Sequence, residues 1–154
     1  MKNKLKLVLW GKNLQLPMDY DNLEFDDYIL ENDNEYGYEL KNYDKCYDLY
    51  IYKNNKLIKE IWYWDNGNKN FEFNYKNGKS DGKQYKWYSN GKLYREFNCK
   101  NGNEDGKQYW WSNNGELYCE YNYKNGKRNG KQYEWSFDGN KMYEGNYKNG
   151  KQIK

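Results

Sequence analysis

A block of 24 residues recurs three times without a gap, as YKNGKSDGKQYKWYSNGKLYREFN (75–98), CKNGNEDGKQYWWSNNGELYCEYN (99–122) and YKNGKRNGKQYEWSFDGNKMYEGN (123–146). A further start, YKNGKQIK, follows at 147–154. Upstream the register runs back through WYWDNGNKNFEFN (62–74) to a looser copy, YKNNKLIKEIWYWDNG (52–67). That copy is one residue short and has Asn55 where the turn glycine would fall. Eleven of the 14 glycines occupy three columns: Gly78/102/126/150, Gly82/106/130 and Gly67/91/115/139. A fixed period of this length constrains the fold more than any local motif, because each unit is one supersecondary piece that buries its surface against its neighbours.

Asn-Gly marks two places in the unit: Asn77-Gly78, Asn101-Gly102, Asn125-Gly126 and Asn149-Gly150, then Asn66-Gly67, Asn90-Gly91 and Asn114-Gly115. The dipeptide suits type I′ turns, whose two central residues need positive φ. Short runs rich in Tyr, Trp and Phe lie between the turns, and no run holds a 3.6-residue apolar period. Two turns per 24 residues predict two antiparallel strands per unit. The resulting fold class is all-β, an elongated single-layer antiparallel sheet of tandem β-hairpins with an N-terminal cap.

Alternation along each strand assigns faces. Tyr85/Trp87, Tyr109/Trp111 and Tyr133/Trp135 share one side of their strands, with Gln84, Gln108 and Gln132 on the other beside Lys86, Trp110 and Glu134. On the alternate strands, Phe71/Phe73/Tyr75, Leu93/Phe97/Cys99, Leu117/Tyr121/Tyr123 and Tyr143/Tyr147 oppose Glu72/Asn74, Glu96/Asn98, Glu120/Asn122 and Glu144/Asn146. Joining the aromatic sets gives one aromatic face and one polar face carrying the Gln, Glu and Asn columns.

The chain divides into a divergent acidic cap, 1–50, and the repeat array, 51–154, with units at about 51–74, 75–98, 99–122 and 123–146 and a partial one at 147–154. Charge follows the division. Residues 17–50 hold 11 acids against Lys41 and Lys45, while 51–154 hold 20 basic and 12 acidic residues. The array's surplus of cations and the cap's surplus of acids could dock on each other or offer an acidic surface to a basic partner, but a solvated acidic face explains the cap more simply. Residues 47–64 read as a hairpin leading into the array; 17–46 read as cap strands with Gly37 as their turn glycine. Hydrophobic content is 36%, and 27 residues are Tyr or Trp. With so few aliphatics a thin sheet clamped by rings fits better than a sandwich, and the regular aromatics argue against the disorder that a strongly negative mean hydropathy would otherwise suggest.

There is no histidine, which removes histidine-based acid–base and nucleophilic constellations and the commonest metal ligand. Three scattered cysteines, Cys46, Cys99 and Cys119, do not make a zinc set; their odd number fits reduced thiols. No phosphate-loop pattern occurs. The Glu72/96/120/144 column could place carboxylates together for acid–base work. A row balanced by lysines on adjacent strands explains it more simply, since it repeats with the scaffold. The expectation is therefore a non-enzymatic chain with no catalytic residue, metal or cofactor. Residues 1–16 contain no apolar stretch long enough for a signal peptide, and nothing approaches a membrane-spanning run, giving a cytoplasmic expectation.

Tyr143-Glu144-Gly145-Asn146-Tyr147-Lys148-Asn149-Gly150-Lys151, with YKNGKRNGKQYEWSFDG (123–139), resembles the MORN repeat, roughly YxGxWxNGKxxGxGxxxxxxG. Tyr-x-Gly is intact only at Tyr143–Gly145, and the second glycine of GxG is replaced, as in Gly82-Lys83-Gln84. These departures are similar to the MORN-variant repeats of bacterial antitoxin-component proteins and large DNA viruses. The resemblance implies a single-layer sheet acting as a scaffold or binding surface. A protein partner is the first expectation, with Tyr85, Trp87, Tyr109, Trp110, Trp111, Tyr133 and Trp135 as candidate binding residues. An antitoxin or immunity role using the acidic segment is the alternative, and a lipid- or nucleic-acid-binding surface a further one. Nucleic acid is not expected as a partner, because each unit pairs its basic residues with Asp or Glu and the aromatics hold the sheet together. A membrane partner is disfavoured because no concentrated basic patch accompanies the aromatics, and homo-oligomers remain open.

Overall fold

The computed structural model describes residues 28–30, 36–43 and 46–154; most of the acidic stretch 17–46 lies outside them. The described residues form one antiparallel sheet of 14 strands and no helix. At one end are β1 (Tyr28–Leu30), β2 (Tyr36–Tyr43), β3 (Cys46–Lys53) and β4 (Lys56–Tyr63). The array follows as β5 (Lys69–Lys76), β6 (Lys79–Ser80), β7 (Gly82–Trp87), β8 (Leu93–Lys100), β9 (Asn103–Trp111), β10 (Leu117–Lys124), β11 (Lys127–Arg128), β12 (Gly130–Trp135), β13 (Lys141–Lys148) and β14 (Lys151–Ile153). Spatial order is chain order, except that the two-residue strands β6 and β11 pair back on β5 and β10 while β7 and β12 carry the sheet onward. The hairpin expected over 47–64 is β3–β4, closed by Asn54 and Asn55, both at positive φ. Gly37 marks no turn: it lies within β2 opposite Tyr52.

The two Asn-Gly sets make different turns. At Asn77-Gly78, Asn101-Gly102, Asn125-Gly126 and Asn149-Gly150 both residues have positive φ, as a type I′ turn requires. At Gly67, Gly91 and Gly115 the glycine alone does, so the type I′ expectation fails there. Each of these loops is three residues long. In the 88–92 loop, Tyr88 N–H donates to Lys92 O and Gly91 N–H to Tyr88 O, both at 2.9 Å. This is the type I turn followed by a left-handed glycine that three-residue hairpins adopt. A separate bulge lies further in: Trp87 opposes Leu93 but Lys86 opposes Arg95, so Tyr94 is the extra residue, and a shift recurs beside the other such loops.

The face assignment needs a larger correction. Directly opposed residues in antiparallel strands point to the same side. The register opposes Tyr85 to Glu72 and Glu96, and Gln84 to Phe97. The Tyr/Trp columns therefore share a face with the Glu and Asn columns, and the Gln column shares the other with Phe71, Phe73, Phe97 and Tyr121. Both faces are aromatic. We call them the glutamate face and the glutamine face.

Nor are the glutamines solvated. Gln84, Gln108 and Gln132 have no exposed surface at all. Where β6 gives way to β7 at Asp81-Gly82, the backbone ladder to β5 is interrupted, and a side chain takes its place. The Gln84 carboxamide accepts from Asn74 N–H at 2.7 Å and donates to Asn74 O at 2.9 Å. Gln132 repeats the pair on Asn122 (3.3 and 2.9 Å), and Gln108 donates to Asn98 O at 3.0 Å. The glutamines supply the acceptor for the Asn74 and Asn122 N–H groups, and share the two carbonyls with Asp81 N–H (2.9 Å) and Asn129 N–H (2.8 Å).

The aliphatic core is small and lies at the β1–β4 end: Leu40, Leu49 and Ile61, with Tyr47, Ile51 and Tyr63 packed against it. These three leucine and isoleucine side chains start a cross-strand row on the glutamate face that continues through Glu72, Tyr85 and Glu96.

Candidate interaction surface

On the glutamate face each repeat sets a Tyr and a Trp two residues apart on one strand. Their ring centroids lie 5.6 Å apart in Tyr85–Trp87, 5.7 Å in Tyr109–Trp111 and 5.6 Å in Tyr133–Trp135. All six rings are half-buried. At two strand spacings per repeat, successive ring pairs stand roughly 10 Å apart.

Between the pairs runs the glutamate column, and every member is held by lysine. Glu72 takes Lys59 at 2.6 Å and Lys69 at 2.8 Å, Glu96 takes Lys83 at 2.7 Å, Glu120 takes Lys107 at 2.7 Å, and Glu144 takes Lys131 at 3.3 Å and Lys141 at 2.6 Å. Burial pushes the Glu72 pKa up, but the hydrogen bonds from Lys59 and Lys69 outweigh it and hold the carboxyl below its ordinary value. Hydrogen bonds to Glu96 and Glu120 raise the pKa of Lys83 and Lys107. All four carboxylates are ion-paired to lysine, and those of Glu72 and Glu144 are held below their ordinary value by their lysine hydrogen bonds, the opposite of what a general acid requires. Among the described residues no cluster of three or more Cys, Asp or Glu is placed to hold a metal.

The glutamine face is closed over by its own cations. The Arg95 guanidinium lies 4.2 Å from the Phe97 centroid and 4.5 Å from that of Trp110, and it is paired with Glu104. Lys86 sits 4.6 Å from the Phe71 centroid, and Arg128 4.4 Å from that of Tyr121, whose hydroxyl donates to Glu134. A ligand for these rings would have to displace close cation–π contacts and charge-assisted pairs. On the glutamate face the nearest cations stand farther off, at 5.4 Å for Lys69 over Trp87, 5.9 Å for Lys141 over Tyr133 and 6.0 Å for Lys107 over Tyr109.

Six of the seven candidate binding residues are therefore brought together on the glutamate face. Trp110 is not: it follows Tyr109 by one residue, points to the glutamine face, and lies under Arg95 and 5.1 Å from Tyr121. Sequence reasoning missed the polar residues that fix the surface. Asn74, Asn98 and Asn122 donate from their side chains to the carbonyls of Lys83, Lys107 and Lys131. Asp81 and Asp105 accept the backbone N–H of the next repeat's Asn101 and Asn125, both at 3.1 Å. Their recurrence at one position per unit was the signal.

The model of the MORN repeat variant family matches residues 56–77, 80–101, 104–125 and 128–149, more than half of the chain. The chain belongs to this family. Each matched segment begins at or near the second flank of a type I′ turn and ends in the next such turn, so the family unit is phased between successive turns of one edge. Repeats of this kind are generally protein- or membrane-interaction modules. Among solved structures, one chain of the "Glycosylation Associate Protein (Gap123) complex" from Streptococcus agalactiae is similar, with 18% identity and a TM-score of 0.40. The match covers 77% of this MORN-variant chain and 21% of that one. Comparison with curated proteins gives no match. No helix among the described residues is long and apolar enough to cross a membrane.

Proposed function

We propose that this MORN-variant chain is a non-catalytic binding module that holds a protein partner against its glutamate face, through Tyr85, Trp87, Tyr109, Trp111, Tyr133 and Trp135. The observation that carries this reading is the contrast between faces. Rings on the glutamine face are capped at 4.2–4.6 Å by Lys86, Arg95 and Arg128, while the ring pairs of the glutamate face recur without so close a cap. Half-buried Tyr and Trp on a rigid scaffold combine large contact area with few rotamers to freeze, the composition of binding hot spots. The lysine–glutamate pairs beside them supply a polar rim.

Selection of displayed random peptides on the immobilised chain tests the reading. Selected binders should lose about tenfold or more in affinity to Trp111→Ala, with the far-ultraviolet spectrum unchanged, and keep their affinity for Lys86→Gln on the other face. A hot-spot ring is worth at least about 2 kcal/mol, so the loss is measurable. Binders equally tight to Trp87→Ala, Trp111→Ala and Trp135→Ala would remove the glutamate face from the account.

A further inference from the structure

The two turn edges of the sheet differ in charge as sharply as in geometry. On the type I′ edge each tip is flanked by directly opposed residues: Lys53 and Lys56, Lys76 and Lys79, Lys100 and Asn103, Lys124 and Lys127, Lys148 and Lys151. In four of these five turns two ammonium groups stand side by side. Like charges directly opposed destabilise an antiparallel pair. The turn itself requires its two central residues and not lysine at its flanks. An unfavourable pairing kept at one edge through successive repeats points to a use for the charge.

Lys53 donates to the Tyr36 hydroxyl at 3.1 Å. The other eight turn lysines are exposed and form no ion pair with a described residue, in contrast to the lysines of the glutamate face. The acids set into the type I′ edge, Asp81 and Asp105, are engaged by backbone N–H groups of the following turns. The opposite loops, at 65–68, 89–92, 113–116 and 137–140, carry Asp65, Lys92, Glu116 and Asp138, with no surplus of positive charge.

The lysine pairs are also held in register. Gly102 N–H donates to Ser80 O at 2.9 Å, Gly126 N–H to Glu104 O at 2.8 Å, and Gly150 N–H to Arg128 O at 2.8 Å, so three of the five turns are hooked to the unit before them. Successive pairs stand about 10 Å apart, and five turns make a ridge on the order of 40 Å long. The tips are Asn-Gly or Asn-Asn, with no apolar or aromatic side chain. Stable seating in a membrane interface draws on apolar insertion, and base reading or stacking draws on rings. Contact with phosphates needs cations and free backbone N–H groups alone. A duplex carries one charge per about 3.4 Å of axis on each strand and turns once in about 34–36 Å, so a ridge of this length spans about one turn and meets both strands where their backbones cross its side.

We propose that the type I′ edge is a sequence-independent docking ridge for the phosphate backbone of duplex nucleic acid. The ridge is separate from the aromatic columns and independent of the protein-binding reading of the glutamate face.

Fluorescence anisotropy of the full chain with a labelled DNA duplex of arbitrary sequence, between about 50 and 200 mM salt, tests it. Affinity should fall log-linearly with salt, with a slope near −0.9 for each phosphate neutralised. The double variant Lys124→Gln/Lys127→Gln should reduce the magnitude of that slope by roughly 1–2. It should melt no lower than the parent, since a like-charge pair is removed. Lys92→Gln, on the opposite edge, should leave the slope unchanged. The proposal is overturned by absence of binding at the lowest salt, by a slope indifferent to the Lys124/Lys127 change, or by capture on phosphatidylserine vesicles without binding to duplex.

Discussion

The β1–β4 end and the repeat array continue one sheet but are held together by different forces. At the β1–β4 end the cross-strand row on the glutamate face is Leu40, Leu49 and Ile61, each at most 6% exposed. In the array the same row becomes Glu72, Tyr85, Glu96, Tyr109 and Glu120, and the fully buried side chains are glutamines. The first end is stabilised by area removed from water, the second by hydrogen bonds that carry each unit onto the next. A hydrogen-bonded seam is directional, so it fixes register and repeats without drift. An aliphatic cluster is not directional and can join β2 and β3, which precede the matched repeats, to β4, which belongs to the first of them.

Substitutions on the two sides of this divide should behave differently. The largest loss is expected from Leu49→Ala, about 2–5 kcal/mol by urea denaturation, as for other fully buried large-to-small changes. A loss below about 1 kcal/mol would mean that Leu49 packs no tighter than the array and that the contrast is illusory.

A smaller effect separates the regions by pH. Asp48 lies on β3 opposite Lys41 and Trp62. Burial pushes its pKa up to about 6; the charge of Glu60 adds to the rise and that of Lys41 opposes it. Because the folded pKa lies above the unfolded one, the contribution of this group to stability is fully present below about pH 4 and is lost as pH rises through about 6. Amide protection in β3 and β4 should therefore be greater at pH 5 than at pH 7.5 relative to the array, once intrinsic exchange is corrected, and Asp48→Asn should remove the difference. An unchanged profile in the variant would place the titration elsewhere.

Much of this was legible in the sequence, and the limits have definite causes. The period, the hairpins and the all-β class followed from glycine columns and aromatic runs. The face assignment failed although the register was available in the turn length. A two-residue loop between Lys76 and Lys79 forces opposed residues to have numbers of opposite parity, which sets Tyr85 beside Glu72 and not beside Phe71 or Phe73. The second Asn-Gly set misled because the dipeptide serves both loop lengths, and only Gly67, Gly91 and Gly115 take the left-handed conformation there. Gln84 was read as solvent-facing because glutamine usually is. Its burial depends on the ladder interruption at Asp81-Gly82, a tertiary feature signalled only by the recurrence of Gly-Lys-Gln in each unit. Strand alternation alone sets Trp110 and Trp111 on opposite sides, so Trp110 did not belong among candidates for one face.

The seam itself is open to direct measurement by native-state hydrogen exchange at the Asn74 amide, whose acceptor is the Gln84 side chain at 2.7 Å. In Gln84→Leu that N–H loses its acceptor, a loss of about 1–3 kcal/mol, while the Asn74 carbonyl keeps the Asp81 N–H at 2.9 Å. Asn74 exchange should accelerate by roughly 5–150-fold, while amides of β2 and β3 around Leu49 keep their protection. Unchanged exchange at Asn74 would contradict this expectation, because the repeats would then be joined by something other than their buried glutamines.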